Sequence, residues 1–447
     1  MTATATPSAA TTSTVSVDDT AALDPSHTRR TAHHPPVALF DPGPDTDGEP
    51  ADRVRAAVLR LLERFQADVA AGLTASFAIH LKGHEARTIT VHDGRCTVSS
   101  GADAAADATL ATDANTWLAL VDGHVDGVTA FLDGRLHVDG DLALATQFQT
   151  LFAPGPHAVR AQRSTRTPTR GAVVDALVAG SGRPVVLLHG LGASKVSFLP
   201  TVATLADHYE VHALDLPGFG RSSRPLPTGR RYSMPWFADV INGYLIDNQL
   251  GDVHVIGNSM GGRIGLELAL RHPRSVRSLT ALGAAVGFDR YRRLAPLLRL
   301  SQPQWLGLAP VPLPAARIEE VVRGLFHDPS GLPDRNHTAA AQDVARDWSD
   351  PAYRLALLAC ARTLGAERSR GRRAYWNRLG RLTSPSYWIF GRQDRLVPHS
   401  YADRVRTAAP DAQVEVWDGI GHVPQFEDPD RVGAALHPWL AGVDATR

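Results

Sequence analysis

Three residues far apart along this chain, a serine, an aspartate and a histidine, each stand where a short apolar run breaks off. Ser259 lies in Gly257-Asn258-Ser259-Met260-Gly261, after Val253-His254-Val255-Ile256 and before a helical pattern from Arg263 to Arg271. Flanking glycines permit a sharp strand-to-helix turn, which lifts the serine oxygen to a helix N-terminus where developing negative charge is favoured. Asp394 closes Gly391-Arg392-Gln393-Asp394 after the run Tyr387-Trp388-Ile389-Phe390. His422 closes Asp418-Gly419-Ile420-Gly421-His422 after Val414-Glu415-Val416-Trp417. A serine hydroxyl is a weak nucleophile at neutral pH and needs a base within hydrogen-bond reach. Imidazole can take that proton and return it to a leaving group, and a carboxylate can hold the imidazole in the right tautomer. The backbone N–H groups of Met260 and of Leu191, which follows His189-Gly190, are the expected oxyanion donors. Together these groups could carry out acyl transfer. Asp418 and Glu427 are rival acids near His422, and His189 is expected to pack beneath its loop.

Such groups converge only if a sheet presents them. From about residue 169 to 447 the chain alternates short apolar runs with helical stretches: Val185–Leu188, Val211–Leu216, Val253–Ile256, Leu279–Leu282, Tyr387–Phe390 and Val414–Trp417. That alternation predicts βαβ units and a parallel sheet buried on both faces, with sites beyond the carboxyl ends of its strands. The expected fold class is α/β. The stretch 288–383 interrupts the strand order and carries helical patterns at Leu294–Leu300, Ile318–Leu325 and Tyr353–Leu364; it predicts a helical cap over Ser259. Arg368, Arg370, Arg372 and Arg373 in it either attract an anionic substrate or form a solvated face. Trp376, Trp305 and Phe326 either shape an apolar pocket, with Trp376 as the substrate-binding candidate, or pack the cap.

This segment resembles an α/β-hydrolase-fold enzyme. Its marks are His189-Gly190-Leu191-Gly192, Asp215-Leu216-Pro217-Gly218-Phe219-Gly220, Gly257-Asn258-Ser259-Met260-Gly261-Gly262 and Gly421-His422. The resemblance implies a triad ordered Ser, acid, His along the chain, which Ser259, Asp394 and His422 satisfy and Asp215 does not. It also implies that Gly190 and Gly192 border the substrate. The G-N-S-M-G-G form occurs in esterases and in the branch that hydrolyses carbon–carbon bonds of ring-cleavage diketones. Val423 stands where that branch usually has Trp, so an ester of a lipid-like or aromatic acid is the first reading and the diketone the second. Ser259 argues against relatives that use Asp as nucleophile.

Residues 52–152 read as a separate unit. Arg53–Ala70 predicts an amphipathic helix, with Val54, Val58, Leu61, Leu62, Phe65 and Val69 on one stripe. Phe77–Leu81, Thr88–His92, Cys96–Val98, Thr109–Thr112 and Leu136–Val138 read as strands, with His92-Asp93-Gly94 as a hairpin turn. Asp113 reads as the cap of a helix carrying Trp117. Asp107-Ala108-Thr109-Leu110, the stretch Thr129 to Leu136 and Asp139-Gly140-Asp141-Leu142 make this unit similar to the sterol carrier protein type 2 lipid-binding domain. The resemblance implies a small α+β fold enclosing an apolar tunnel for an acyl chain or sterol. Phe148, Leu151 and Phe152 then either line that tunnel or fill a solid core. A third reading of the whole chain follows: a lipid carrier with a hydrolase-fold scaffold.

Residues 153–168, with three prolines, a glycine and several arginines, read as a linker. The Ala/Thr/Ser-rich start and the Pro/Gly/Asp-rich stretch to residue 51 predict disorder and lack a secretory pattern. Lys+Arg and Asp+Glu balance at 46 each, so nothing draws the chain to nucleic acid. No apolar run is long enough for stable membrane insertion. Cys96 and Cys360 share no metal-type spacing and read as free thiols, which suggests the cytoplasm. No metal and no cofactor are expected; the expected partner is a small hydrophobic substrate. Oligomeric state is not legible.

Overall fold

The computed structural model describes residues 50–158, 160, 162–284, 307–309, 312–331, 334–365 and 374–446. The expected disordered N-terminal segment lies outside the described residues except for its last two, Pro50 and Ala51, which begin the first helix instead; the pattern Leu294–Leu300, Trp305 and the four cap arginines also lie outside. The chain divides into two compact units, one of Met1–Gly140 with Phe148–Val159, the other of Asp141–Gln147 with Arg160–Arg447.

The first unit has a five-stranded sheet ordered β3-β2-β1-β4-β5. The strands are β1 (Ala75–Leu81), β2 (Arg87–His92), β3 (Arg95–Ser100), β4 (Ala108–Thr112) and β5 (His137–Gly140). β1 pairs parallel with β4, and the other neighbours are antiparallel. Asp93 (φ 48°) and Gly94 (φ 72°) make the two-residue turn between β2 and β3, as the Asp-Gly pair predicts. Asp113 caps the next helix by accepting from the Thr116 N–H at 2.9 Å. The first helix, Pro50–Glu63, stops short of the expected Ala70. Tertiary pairing overrides local propensity there: Gln66 N–H donates to the Leu151 carbonyl, Ala153 N–H donates to that of Arg64, and Phe65 bridges Phe152.

The second unit has an eight-stranded sheet ordered β13-β12-β11-β10-β8-β9-β7-β6. Its strands are β6 (Gln162–Thr169), β7 (Ala172–Ala179), β8 (Arg183–Leu188), β9 (Tyr209–Leu214), β10 (Val253–Asn258), β11 (Val276–Leu282), β12 (Ser386–Gly391) and β13 (Gln413–Trp417). All six apolar runs are strands, and they pair parallel. β6 and β7 form an antiparallel hairpin that joins β9. β6 occupies the second half of the stretch expected as linker; its side chains are exposed or half-buried, except for buried Thr169 at its end. β7 is buried along nearly its whole length even though Asp175 lies in it. The chain runs from β8 to β9 on one side and returns to β10 on the other. The carboxyl ends of β8 and β10, where the strand order reverses, are the usual place for a site in such sheets. Between β11 and β12 the described residues form α-helices at Ala315–Arg323, Asp334–Ser349, Pro351–Gly365 and Tyr375–Leu379. No helix among the described residues is long and apolar enough to cross a membrane.

Candidate active site

Ser259 follows β10 with φ 53° and ψ −116°, a strained conformation for a residue with a Cβ. Packing enforces it. A Cβ on Gly261 would overlap the Leu188 carbonyl oxygen, and one on Gly257 would overlap Gly261. Only glycine lets the elbow press against β8. Ser259 N–H donates to the Leu282 carbonyl at 2.9 Å. The side chain of Asn258 donates to the carbonyls of Leu282 and His422, both at 3.0 Å. The residue beside the serine thereby holds the histidine loop to the elbow. Ser259 is half-buried, while Asn258 and Met260 are buried.

His422 and Asp394 meet at the ends of neighbouring strands β13 and β12. His422 Nδ1 lies 2.8 Å from Asp394 Oδ2. Asp394 Oδ1 accepts the N–H groups of Leu396 and Val397 at 2.7 and 2.8 Å. With one oxygen held by the backbone, the other is aimed at the imidazole, and both side chains are shielded from water. Gly283 makes room: a Cβ there would stand 3.4 Å from both Asp394 Oδ2 and His422 Nδ1. The rival acids are engaged elsewhere. Asp418 pairs with Arg392, and Glu427 accepts the backbone N–H groups of Gly421, Val423 and His327. Asp215 is buried against Lys195, whose Nζ lies 2.7 Å from both Asp215 and Asp175. Burial alone would lower the Lys195 pKa, but the two carboxylates outweigh it and push it up to about 12.

His189 is fully buried under its loop. Its Nε2 accepts the Leu216 N–H at 2.9 Å, so Nδ1 carries the proton and donates to the Gly190 carbonyl at 2.7 Å. Burial holds its pKa down, so it stays neutral and acts as a strut for the loop bearing Gly190, Leu191 and Gly192. A Cβ on Gly190 would come 3.4 Å from the Ser259 Cβ, so this glycine lies directly against the serine. Gly192, at φ 77°, accepts the Tyr353 hydroxyl at 2.9 Å, which joins the loop to the helix Pro351–Gly365.

The remaining candidate binding residues have these surroundings. Trp376 stands beside Tyr401, with the Arg404 guanidinium 4.3 Å from its ring centre. Phe148, Leu151 and Phe152 are buried in the first unit. Phe148 meets Phe77, Phe152 and Trp117 at centroid distances of 4.9, 5.3 and 6.5 Å, an interlocked ring cluster. Phe326 packs on His337 and Phe426. Sequence reasoning gave no role to Asn258, Gly283 or Lys195. Only Asn258 carried a signal, its place beside the serine.

The sheet, its strand-end loops and the buried glycine elbow define an α/β hydrolase. Comparison with known proteins agrees: the alpha/beta hydrolase fold family matches residues 183–429, more than half the chain, and the SCP-2 sterol transfer family matches residues 58–153. The chain belongs to the alpha/beta hydrolase fold family and carries an N-terminal SCP-2 region. It is 31% identical over 283 residues to a pimeloyl-[acyl-carrier protein] methyl ester esterase of Xanthomonas campestris pv. campestris, covering 60% of this chain and 98% of that one. It is 30% identical over 247 residues to a 2-hydroxy-6-oxononadienedioate/2-hydroxy-6-oxononatrienedioate hydrolase of Cupriavidus pinatubonensis, covering 54% and 81%. A solved 2-hydroxy-6-oxo-6-phenylhexa-2,4-dienoate hydrolase from Rhodococcus sp. strain RHA1 is similar with a TM-score of 0.53 and 25% identity, covering 63% of this chain and all of that one. The chain is thus a hydrolase by fold and kinship, with esterases and carbon–carbon bond hydrolases among its relatives.

Proposed function

We propose that this protein is a serine hydrolase that cleaves a carboxylic ester of a lipid-like or aromatic acid through an acyl-enzyme. Ser259 Oγ attacks the ester carbonyl while His422 Nε2 takes its proton. Asp394, bound to Nδ1, keeps Nε2 free as an acceptor and stabilises the imidazolium that forms. The N–H groups of Leu191 and Met260 bind the oxyanion; one such donor is worth about 3 kcal/mol in comparable sites. His422 then protonates the leaving alcohol. In the second half-reaction it takes a proton from water, which attacks the acyl-enzyme, and returns it to Ser259 as the acid departs. The observation that carries this reading is the 2.8 Å contact between His422 Nδ1 and an Asp394 carboxylate whose other oxygen is fixed by two backbone N–H groups. A fluorophosphonate probe tests it: wild type should label and Ser259→Ala should not. Labelling that survives in Ser259→Ala would remove the serine from the mechanism.

Carbon–carbon cleavage of a ring-cleavage diketone is the second reading, supported by the names of two relatives and opposed by Val423. Turnover of a chromogenic dienol ketone faster than of any aryl ester would favour it. The SCP-2 match supports an apolar lipid or sterol as ligand of the first unit. Native mass spectrometry of the purified chain tests this, since a bound lipid adds a discrete mass.

A further inference from the structure

Glu427 lies five residues beyond His422, at the end of the short helix Pro424–Glu427. Its carboxylate gathers three backbone donors. Oε1 accepts Gly421 N–H at 2.9 Å and Val423 N–H at 3.3 Å. Oε2 accepts Gly421 N–H at 2.9 Å and His327 N–H at 2.7 Å. Gly421 and Val423 flank the histidine; His327 belongs to the insertion between β11 and β12. The two segments touch again where His422 N–H donates to the Leu325 carbonyl at 2.7 Å. They meet so closely that a Cβ on Gly421 would stand 2.6 Å from the Leu325 oxygen and 2.7 Å from the His327 nitrogen. The Phe326 and Phe426 rings pack beside this seam, 6.5 Å between centroids. The side chain of His422 is thus aimed by Asp394, while its backbone is held by the insertion.

We propose that Glu427 is a positioning residue that clamps the His422 loop to the segment Leu325–His327 and so sets the imidazole in register with Ser259. This rests on the triad reading and extends it: the insertion belongs to the catalytic framework and does not merely cover it. A carboxylate suits the task because it only accepts, and three N–H donors converge on it. Half-burial raises its pKa, and the N–H bonds oppose that rise. An amide would turn two N–H bonds of its own against those donors, leaving at least one contact donor-to-donor.

Purified full-length Glu427→Gln, Glu427→Asp and Gly421→Ala are compared with wild type for aryl ester kcat and KM, fluorophosphonate labelling rate and Tm. In Glu427→Gln, kcat and labelling rate should fall together by about 10- to 100-fold, the scale of a misplacement near 1 Å, with KM within about twofold. Glu427→Asp keeps the charge and should recover part of the loss. Gly421→Ala wedges the two segments apart and should lower kcat with the carboxylate intact. Wild-type kcat in Glu427→Gln overturns the proposal, as does a loss matched by the unfolded fraction. If Glu427→Gln does not fold, wild-type kcat in Gly421→Ala overturns it. Failure of wild type to label at Ser259 would instead overturn the triad reading, so the two failures are separable.

Discussion

Asp394→Asn is the sharpest probe of the site because the structure dictates how the asparagine must lie. Asp394 Oδ1 accepts two backbone N–H groups, from Leu396 and Val397. An NH2 group at that place would face both donors, so the amide oxygen must take it. The NH2 then occupies the Oδ2 position, 2.8 Å from His422 Nδ1. It donates there, which forces the imidazole proton onto Nε2. On the proposed mechanism Nε2 would then meet Ser259 as a donor and could not accept its proton. In a triad of this geometry the wrong tautomer lowers kcat by about 10,000-fold, near 5 kcal/mol of transition-state stabilisation. The backbone bonds survive, so Tm should barely move. The assay is kcat/KM on an activated ester together with the rate of fluorophosphonate labelling. Asp418→Asn is the control, since Asp418 pairs with Arg392 and should matter little. If Asp394→Asn kept more than roughly a tenth of wild-type kcat/KM, the tautomer argument would fail. Loss in Asp418→Asn alone would name a different acid.

Three further outcomes are expected. Lys195→Met removes the buried cation between Asp175 and Asp215 and leaves Asp175 only the longer Arg166 contact at 3.7 Å; it should cost about 3–5 kcal/mol, read as a fall in Tm or in denaturant midpoint, and an unchanged midpoint would refute the pairing. The same site sets a pH dependence. Lys195 is raised from 10.5 to about 12 by Asp175 and Asp215, against its burial; its stabilisation is complete below pH 10.5 and should fade as pH climbs to 12, a loss absent from Lys195→Met in alkaline melts. Gly261→Ala should abolish labelling and lower Tm, because its Cβ overlaps the Leu188 carbonyl and overpacking of this kind costs about 1–3 kcal/mol; a variant that labels at the wild-type rate would show that the elbow can relax.

The amino-acid sequence by itself determined what is local. Apolar runs four to six residues long, bounded by turn residues, specify buried parallel strands, because both faces of such a strand are dry. The glycines around Ser259 specify a strand-to-helix turn that bulkier residues cannot make, and Asp113 specifies a helix start. Which carboxylate pairs with His422 was not local, since Asp394, Asp418 and Glu427 all lie in the segments that follow strand ends. Tertiary structure decided it: β12 and β13 pair side by side, Arg392 takes Asp418 and three backbone N–H groups take Glu427. Asp175 likewise gave no sign that β7 is a buried strand, because its short ion pair is with Lys195, outside the sheet, with Arg166 on β6 a longer second partner. Propensity alone carried the first helix on to Ala70; long-range pairing of Phe65 with Phe152 stopped it at Glu63. Periodicity and turn chemistry read neighbours along the chain, whereas a buried charge or an aimed imidazole depends on neighbours in space.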